Sequence, residues 1–345
     1  MPPREALLAC PVCRRALAAD LSCRACPATY AEDAGVVRLR VAGEPRTEVV
    51  RQFYERAPFP GYPPRDSLAG LRARGDRSAF ARLLDQAIPG DARVLEMGCG
   101  TGQMSLYLAR ADREVVGADL CLASLRLGAA AARRFRLGQV TFVETDLHSP
   151  GLRPGAFDVV VCSGVLHHTP DPRRAFARIV DLVRPGGVVV VGLYNAIARL
   201  PLRLRRAAAR LTGYRWIPFD PVLRDRDAEP ARREAWLRDQ YMHPEEHRHT
   251  HAEVMGWFRD NGVEYLRAFP SALLDDEAGE DLFAPDPDAW GLEAWLAQLG
   301  WMASLGHEGG LFIMVGRRGE ADAPAMADGA ARSGLKVAAA DRVSS

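Results

Sequence analysis

The chain has 345 residues, of which 48% are apolar and 26% charged, with a formal net charge of +1. At ~100–200 residues per domain this length holds one large domain and a small appendage, and the near-neutral charge supplies no overall field that would draw it to nucleic acid. No apolar run reaches the ~18–20 residues that span a bilayer, and the N-terminus lacks the apolar stretch of a secretion signal. The expectation is a cytoplasmic protein with no membrane partner, where cysteines are more often ligands or buried thiols than disulfides.

Four of the seven cysteines fall within the first 26 residues. Cys10-Pro-Val-Cys13 and Cys23-Arg-Ala-Cys26 are two Cys-x-x-Cys knuckles, a spacing that places four thiolates tetrahedrally around Zn²⁺ at ~2.3 Å. A segment this short cannot bury enough apolar surface to fold alone, so the metal would supply its folding energy. A redox pair, or a site that has lost its metal, are the competing readings. A closed four-thiolate site leaves no open position for water, so Cys10, Cys13, Cys23 and Cys26 are predicted to be structural ligands in a domain over residues 1–43. With Leu7-Leu8-Ala9 before them and the strand-like Gly35-Val36-Val37-Arg38-Leu39 after, the knuckles resemble zinc ribbons of the Trm112 type. Those ribbons are partners or fused modules of methyltransferases.

Residues 44–90 read as a connector. Glu48 to Arg56 suits a helix, whereas Ala57-Pro-Phe-Pro-Gly-Tyr-Pro-Pro64 does not, since proline removes donors and fixes φ. This aromatic segment is either a cofactor lid, with Tyr54, Phe59 and Tyr62 as its contacts, or a linker packed on the surface. Ser78 to Ile88 reads as an amphipathic helix.

From Arg93 strands and helices alternate: strands at 94–97, 114–118, 139–145, 157–162 and 187–193, helices at 102–111, 121–135 and 171–184. That rhythm implies a parallel sheet with helices on both faces. Residues 195–250 break it and read as an insertion, as do 270–309 with a helix near 288–299. Thr250-His-Ala-Glu253 has the form of a capping box opening a helix over 251–260, followed by strands at 263–269 and 310–316. The main domain is expected over 91–318, and 319–345 reads as a disordered tail.

Val94-Leu-Glu-Met-Gly98-Cys-Gly100-Thr-Gly102 joins the first of these strands to a helix. Glycines let the backbone approach a ligand that a Cβ would block, and the helix N-terminus offers free N–H donors. Dehydrogenases use a glycine turn too, but with G-x-G-x-x-G spacing. Here the spacing is G-x-G-x-G, Glu96 precedes it, and Asp119 and Asp146 end the next two strands. Asp119 suits the two hydroxyls of a ribose, and Asp146 an adenine amine, with Leu120 and Leu147 on either side of the base. Each Asp alone would also serve as a helix cap.

Those segments, together with Val116-Gly-Ala-Asp119, Glu144-Thr-Asp146, Phe157 to His168 and Leu182-Val-Arg-Pro-Gly-Gly-Val188, resemble the successive motifs of class I methyltransferases dependent on S-adenosylmethionine (SAM), nearest the ubiquinone/menaquinone type. The resemblance implies an α/β, Rossmann-like, seven-stranded sheet of order 3-2-1-4-5-7-6. It also implies SAM as cofactor, released as S-adenosylhomocysteine, and a cofactor site of Glu96, Gly98, Cys99, Gly100, Thr101, Gly102, Gln103, Asp119, Leu120, Thr145, Asp146, Leu147, Ser163 and Gly164.

His167 and His168, just past the fourth core strand, are candidates for base or substrate contact, or for shaping the turn. His243, His247, His249 and His251 form a second cluster: spacings of four suit a metal-binding helix face, a substrate pocket or plain surface roles, and His243 is taken as a third catalytic candidate. Cys99, Cys121 and Cys162 read as small buried side chains. Ser163-Gly-Val-Leu stands where many nucleic-acid N-methyltransferases carry Asn/Asp-Pro-Pro-Tyr, which favours O- or C-methylation of a small-molecule acceptor. An RNA methyltransferase is the alternative, with the ribbon and Arg199 to Arg206 as the RNA-binding surface. A non-catalytic scaffold of the same fold is a third reading.

Overall fold

The computed structural model describes residues 4–320 except 42, 57–66, 111, 273–280, 287–290, 305–309 and, within 215–244, all but 217, 220, 223, 233, 236, 237, 240 and 241. Two short strands come first, β1 (Ala31–Asp33) and β2 (Val36–Arg38), followed by helices α1 (Pro45–Arg56), α2 (Leu68–Arg77) and α3 (Ala79–Ala87). The α/β part runs β3 (Arg93–Met97), α4 (Gln103–Leu108), β4 (Glu114–Asp119), α5 (Leu122–Phe135), β5 (Val140–Glu144), β6 (Phe157–Ser163), α6 (Pro172–Leu182) and β7 (Val183–Tyr194). It continues with α7 (Leu200–Leu211), α8 (His251–Asp260), β8 (Val263–Phe269), α9 (Leu292–Ser304) and β9 (Leu311–Arg318).

The strands are short valine-rich runs whose successive side chains enter opposite cores, as a two-residue period demands. Val94, Val159, Val161 and Val190 face α2 to α5, while Leu95, Val160, Cys162 and Val191 face α6 and α8. Serine caps start α2 and α3: Ser67 Oγ accepts the Gly70 N–H at 3.1 Å and Ser78 Oγ that of Ala81 at 3.3 Å. α2 is absent from the sequence reading because Gly70 and Gly75 interrupt its helical pattern. Gly75 has a packing reason, since a Cβ there would lie 2.3 Å from the Tyr107 ring. Thr250 caps α8 by accepting the Glu253 N–H at 3.2 Å.

The expected seven-stranded sheet is corrected to nine, in the order β1-β2-β5-β4-β3-β6-β7-β9-β8. Its seven strands from β3 onward keep the 3-2-1-4-5-7-6 arrangement, with β9 antiparallel to both neighbours. The other two come from the N-terminal segment. β2 lies parallel to β5, with Val36, Val37 and Arg38 opposite Phe142, Val143 and Glu144. An uncovered β5 edge would leave a row of unpaired backbone groups, and the buried Val36 and Val37 close it.

The cysteine segment is stitched to the same edge. Ala9 N–H donates to Gly151 O at 3.0 Å, Arg153 N–H to Leu7 O at 2.9 Å and Leu39 N–H to Glu144 O at 2.8 Å. Leu7, Leu8, Leu17 and Leu39 share one core with Leu95, Leu152 and Phe157. Among the described residues no helix is long and apolar enough to cross a membrane.

Candidate active site

The carboxyl ends of β3, β4, β5 and β6 open onto one cavity of about 540 Å³, a size suited to a small ligand. Gly98, Gly100 and Gly102 turn there with φ of +78°, +54° and +74°, a region costly for any residue with a Cβ. A Cβ on Gly98 would come within 2.1 Å of Val165, and one on Gly102 within 2.4 Å of Phe142.

Asp119 ties this turn to the next. Its Oδ2 accepts the Gly100 N–H at 2.8 Å and its Oδ1 the Cys121 N–H at 2.8 Å. Burial keeps its carboxyl above the ordinary aspartate range in spite of those donors. Glu96 accepts a hydrogen bond from Ser105, and burial pushes its pKa up to about 7. Asp146 turns the chain after β5, its Oδ1 accepting the His148 N–H at 2.8 Å. Thr145 Oγ1 accepts the Gly151 N–H at 2.8 Å and donates to Leu39 O at 3.4 Å.

Of the predicted cofactor residues, all but Thr101 and Gly102 line the cavity. Those two lead into α4, where Thr101 is buried and Gly102 is the N-cap. Burial raises the Cys99, Cys121 and Cys162 thiols, which are buried as expected.

His168 lines the cavity and His167 does not. His168 Nδ1 donates to Glu245 O at 2.7 Å, leaving its Nε2 as the acceptor nitrogen. Burial lowers its pKa to about 4, so the ring is neutral at pH 7. His167 is fully buried and stacks on Tyr194 at 3.8 Å between centroids. His243 lies outside the described residues. His247 Nε2 meets Glu245 Oε1 at 2.9 Å, His249 Nδ1 meets Glu253 Oε1 at 2.8 Å, and His251 packs on Tyr265.

Both His168 and His251 keep pKa values near 4 by burial, so between about pH 4 and 6.5 the unfolded chain binds more protons than the folded one. Stability therefore falls as pH drops through that window, by on the order of 3 kcal/mol per histidine at full protonation. Urea midpoints at pH 7.5 and pH 5 should show the loss, and a His251→Phe variant should show less of it.

The sequence reading missed two groups. The first is the cavity side of α1, a helix anticipated over Glu48 to Arg56, which contributes Thr47, Val50 and Arg51 to the wall beside the anticipated Tyr54. Among the described residues the buried Thr47 hydroxyl has no hydrogen-bond partner, and Glu55 ties the helix down by accepting the Leu122 N–H at 2.9 Å. Phe59 and Tyr62, the other proposed lid contacts, lie outside the described residues. The second group stands behind Tyr194. The Arg199 guanidinium, almost fully buried, covers the Tyr194 ring at 3.5 Å and reaches Gln240 Oε1 and Glu246 Oε2 at 3.0 Å each. Arg206 meets both Glu246 oxygens, and Gln240 Nε2 donates to Tyr194 Oη at 2.9 Å. Burial opposes the Glu246 charge, but the two arginines hold its carboxyl below the ordinary range.

Residues 95–191, which supply most of this cavity, match the model of the family described as a methyltransferase domain. An uncharacterised protein of Synechococcus sp. is 29% identical to it over 64% of this chain and 59% of that protein. A ubiquinone biosynthesis O-methyltransferase of Aromatoleum aromaticum is 38% identical over 30% of this chain and 44% of that enzyme. The chain thus spans about half the length of the curated relatives it matches. Among solved structures, a Haloferax volcanii complex of a methyltransferase with the Trm112 methyltransferase activator aligns at 15% identity and a TM-score of 0.46, covering 81% of this chain and 100% of that one.

The methyltransferase domain match begins well after the cysteines. Cys10, Cys13, Cys23 and Cys26 form a cluster whose sulfurs all lie within 4.8 Å of one another. The separations Cys10–Cys26, Cys13–Cys23 and Cys13–Cys26 are 3.5, 3.4 and 3.7 Å. Tetrahedral zinc at ~2.3 Å from each sulfur needs ~3.8 Å between them, so the four thiols fit that ion. Among the described residues no other group of ligating side chains converges in this way.

Proposed function

We propose that this chain is a SAM-dependent methyltransferase that methylates oxygen or carbon of a small-molecule acceptor. The observation that carries the reading is the register of Asp119 and Asp146, at successive strand ends beside the Gly98–Gly102 turn and on one cavity. The ubiquinone O-methyltransferase likeness supports the acceptor class. When bound, SAM supplies an electrophilic methyl group on a sulfonium that departs readily.

The chain's own residues then bind, orient and manage the proton. Asp119 keeps lone pairs on both oxygens for a ribose, and Asp146 is placed for the adenine amine. Ionised Glu96 favours the positive charge of the cofactor, so SAM affinity should rise as pH increases through about 7. Titration calorimetry from pH 6 to 8 checks this, and a flat profile in wild type, or an unchanged one in Glu96→Gln, counts against it. His168 Nε2 is the atom able to receive a proton from an acceptor hydroxyl. Positioning supplies most of the remaining acceleration.

Thr47 adds a contact absent from the sequence reading. Thr47 lines the cavity with its orphaned hydroxyl buried in the wall, and a Cβ on Gly43 would lie 2.8 Å from Asp146 Oδ2 and 3.9 Å from the Thr47 Cβ. Thr47→Val should weaken S-adenosylhomocysteine binding about 5- to 10-fold, the worth of one hydrogen bond, with the melting temperature unchanged. Equal affinity in the two proteins would remove Thr47 from the site.

The RNA reading loses two of its cations, since Arg199 and Arg206 turn inward to Glu246. The cysteine cluster is assigned a structural Zn²⁺. Incubation with methyl-labelled SAM and host-cell extract tests the whole proposal: label is expected among small molecules, and label in RNA would reverse it.

A further inference from the structure

α7 has two faces of different character. At 100° per residue, Arg199, Leu202, Arg206 and Ala209 fall within about 80° of one another, and this side is buried against Gln240, Tyr241 and Glu246. Leu200, Leu204, Ala207 and Leu211 fall within about 60° on another side, and that side is bare. Leu204 is 67% exposed and Leu211 89%. Arg203 and Arg210, both exposed, run along one margin of the leucines, and the helix contains no acidic residue.

A second apolar surface belongs to α9, where Leu292, Trp295 and Leu296 are exposed. α9 is tied to the turn that precedes α7 through Gln298, whose Oε1 accepts from Asn195 Nδ2 at 2.9 Å. Their chain neighbours line the cavity: α7 begins six residues after Tyr194, and Leu311 opens β9 after α9.

The geometry points to docking of α7 on an anionic lipid surface, leucines in the acyl boundary and Arg203 and Arg210 at the headgroup phosphates. A leucine stripe edged by arginine is the chemistry of a helix that lies in the interface plane rather than across the bilayer. The absence of a spanning segment does not bear on that mode. Charge argues against a second copy as the occupant, because two such helices face to face bring arginine against arginine with no acid to answer it. RNA would answer the arginines but not the leucines. Resting on the proposed function, the inference narrows the acceptor to an amphiphile that partitions into lipid and reaches the cavity beside this face.

The test is flotation of the full chain with vesicles of phosphatidylcholine alone and of phosphatidylcholine mixed with phosphatidylglycerol. The chain is expected to float with the mixed vesicles and far less with the neutral ones. Leu204→Glu/Leu211→Glu should cut the bound fraction roughly tenfold while leaving S-adenosylhomocysteine affinity unchanged, which shows the variant is folded. Absence of binding to mixed vesicles, or binding indifferent to the double substitution, overturns the proposal. So does a dimer by light scattering that the substitution dissolves. If wild type floats but does not bind S-adenosylhomocysteine, the methyltransferase reading fails and the docking surface stands.

Discussion

Asp119→Ala is expected to raise the dissociation constant for S-adenosylhomocysteine by ~100-fold or more while leaving a folded protein. Two losses combine. The first is direct, because the carboxylate is the acceptor proposed for both ribose hydroxyls, and hydrogen bonds to a charged group are worth ~1.5–3 kcal/mol each. The second is architectural. Asp119 holds the Gly100 and Cys121 N–H groups at 2.8 Å, so its removal loosens the glycine turn and leaves two donors to find water. Asp119→Asn makes a sharper probe. It preserves volume, yet its amide nitrogen must face either Gly100 N–H or Cys121 N–H, donor against donor. Calorimetry with each variant, with melting curves as the folding control, decides the matter. An affinity within about threefold of wild type in both would remove Asp119 from the cofactor site and with it the main support for the function.

Loss of zinc should be the larger effect on stability. A structural zinc site contributes ~10–16 kcal/mol in isolated zinc-binding peptides, and here the cysteine segment is not isolated. Releasing it would free the Ala9–Gly151, Arg153–Leu7 and Leu39–Glu144 hydrogen bonds and uncover the β5 edge. The damage would reach the cofactor through Thr145, whose hydroxyl is held by Leu39 O and Gly151 N–H one residue before Asp146. Chelation, or Cys10→Ser/Cys26→Ser, should lower the melting temperature by more than ~10 °C and weaken S-adenosylhomocysteine binding. Elemental analysis of the purified chain should give one zinc per chain. A metal-free protein that melts and binds as wild type does would return the cluster to an ordinary set of buried thiols.

What could be read from the sequence was what local chemistry enforces. The glycines at 98, 100 and 102 sit where φ is positive, Thr250 caps its helix, and strand residues alternate between two cores, so each left a mark on composition or period. β2 was seen as strand-like, but nothing in Val36-Val37-Arg38 says which edge it joins. That is settled by a partner 106 residues away. Thr47 and Arg51 belong to a helix whose polar face points into a cavity, and polar residues on a helix read as solvent-facing. Arg199 and Arg206 misled for the same reason: a run of arginines suggests an exposed basic strip, whereas Glu246, some 40 residues on, draws two of them inside. The second histidine of His167-His168 reaches the cavity and the first does not, a distinction set by the turn and invisible in a doublet.

The parallel pairing of β2 with β5 has a consequence for how the protein is made. The cysteine segment leaves the ribosome ahead of its partner strand, which follows 106 residues later, and at ~5–20 residues per second that is a delay of roughly 5–20 s. During that interval the segment has no core to pack on, and its apolar residues, Leu7, Leu8, Val36 and Leu39, are uncovered. Early capture of zinc would keep the nascent cysteine segment compact while it waits. A cell short of the metal would then lose this protein during synthesis, before any finished copy could be stripped.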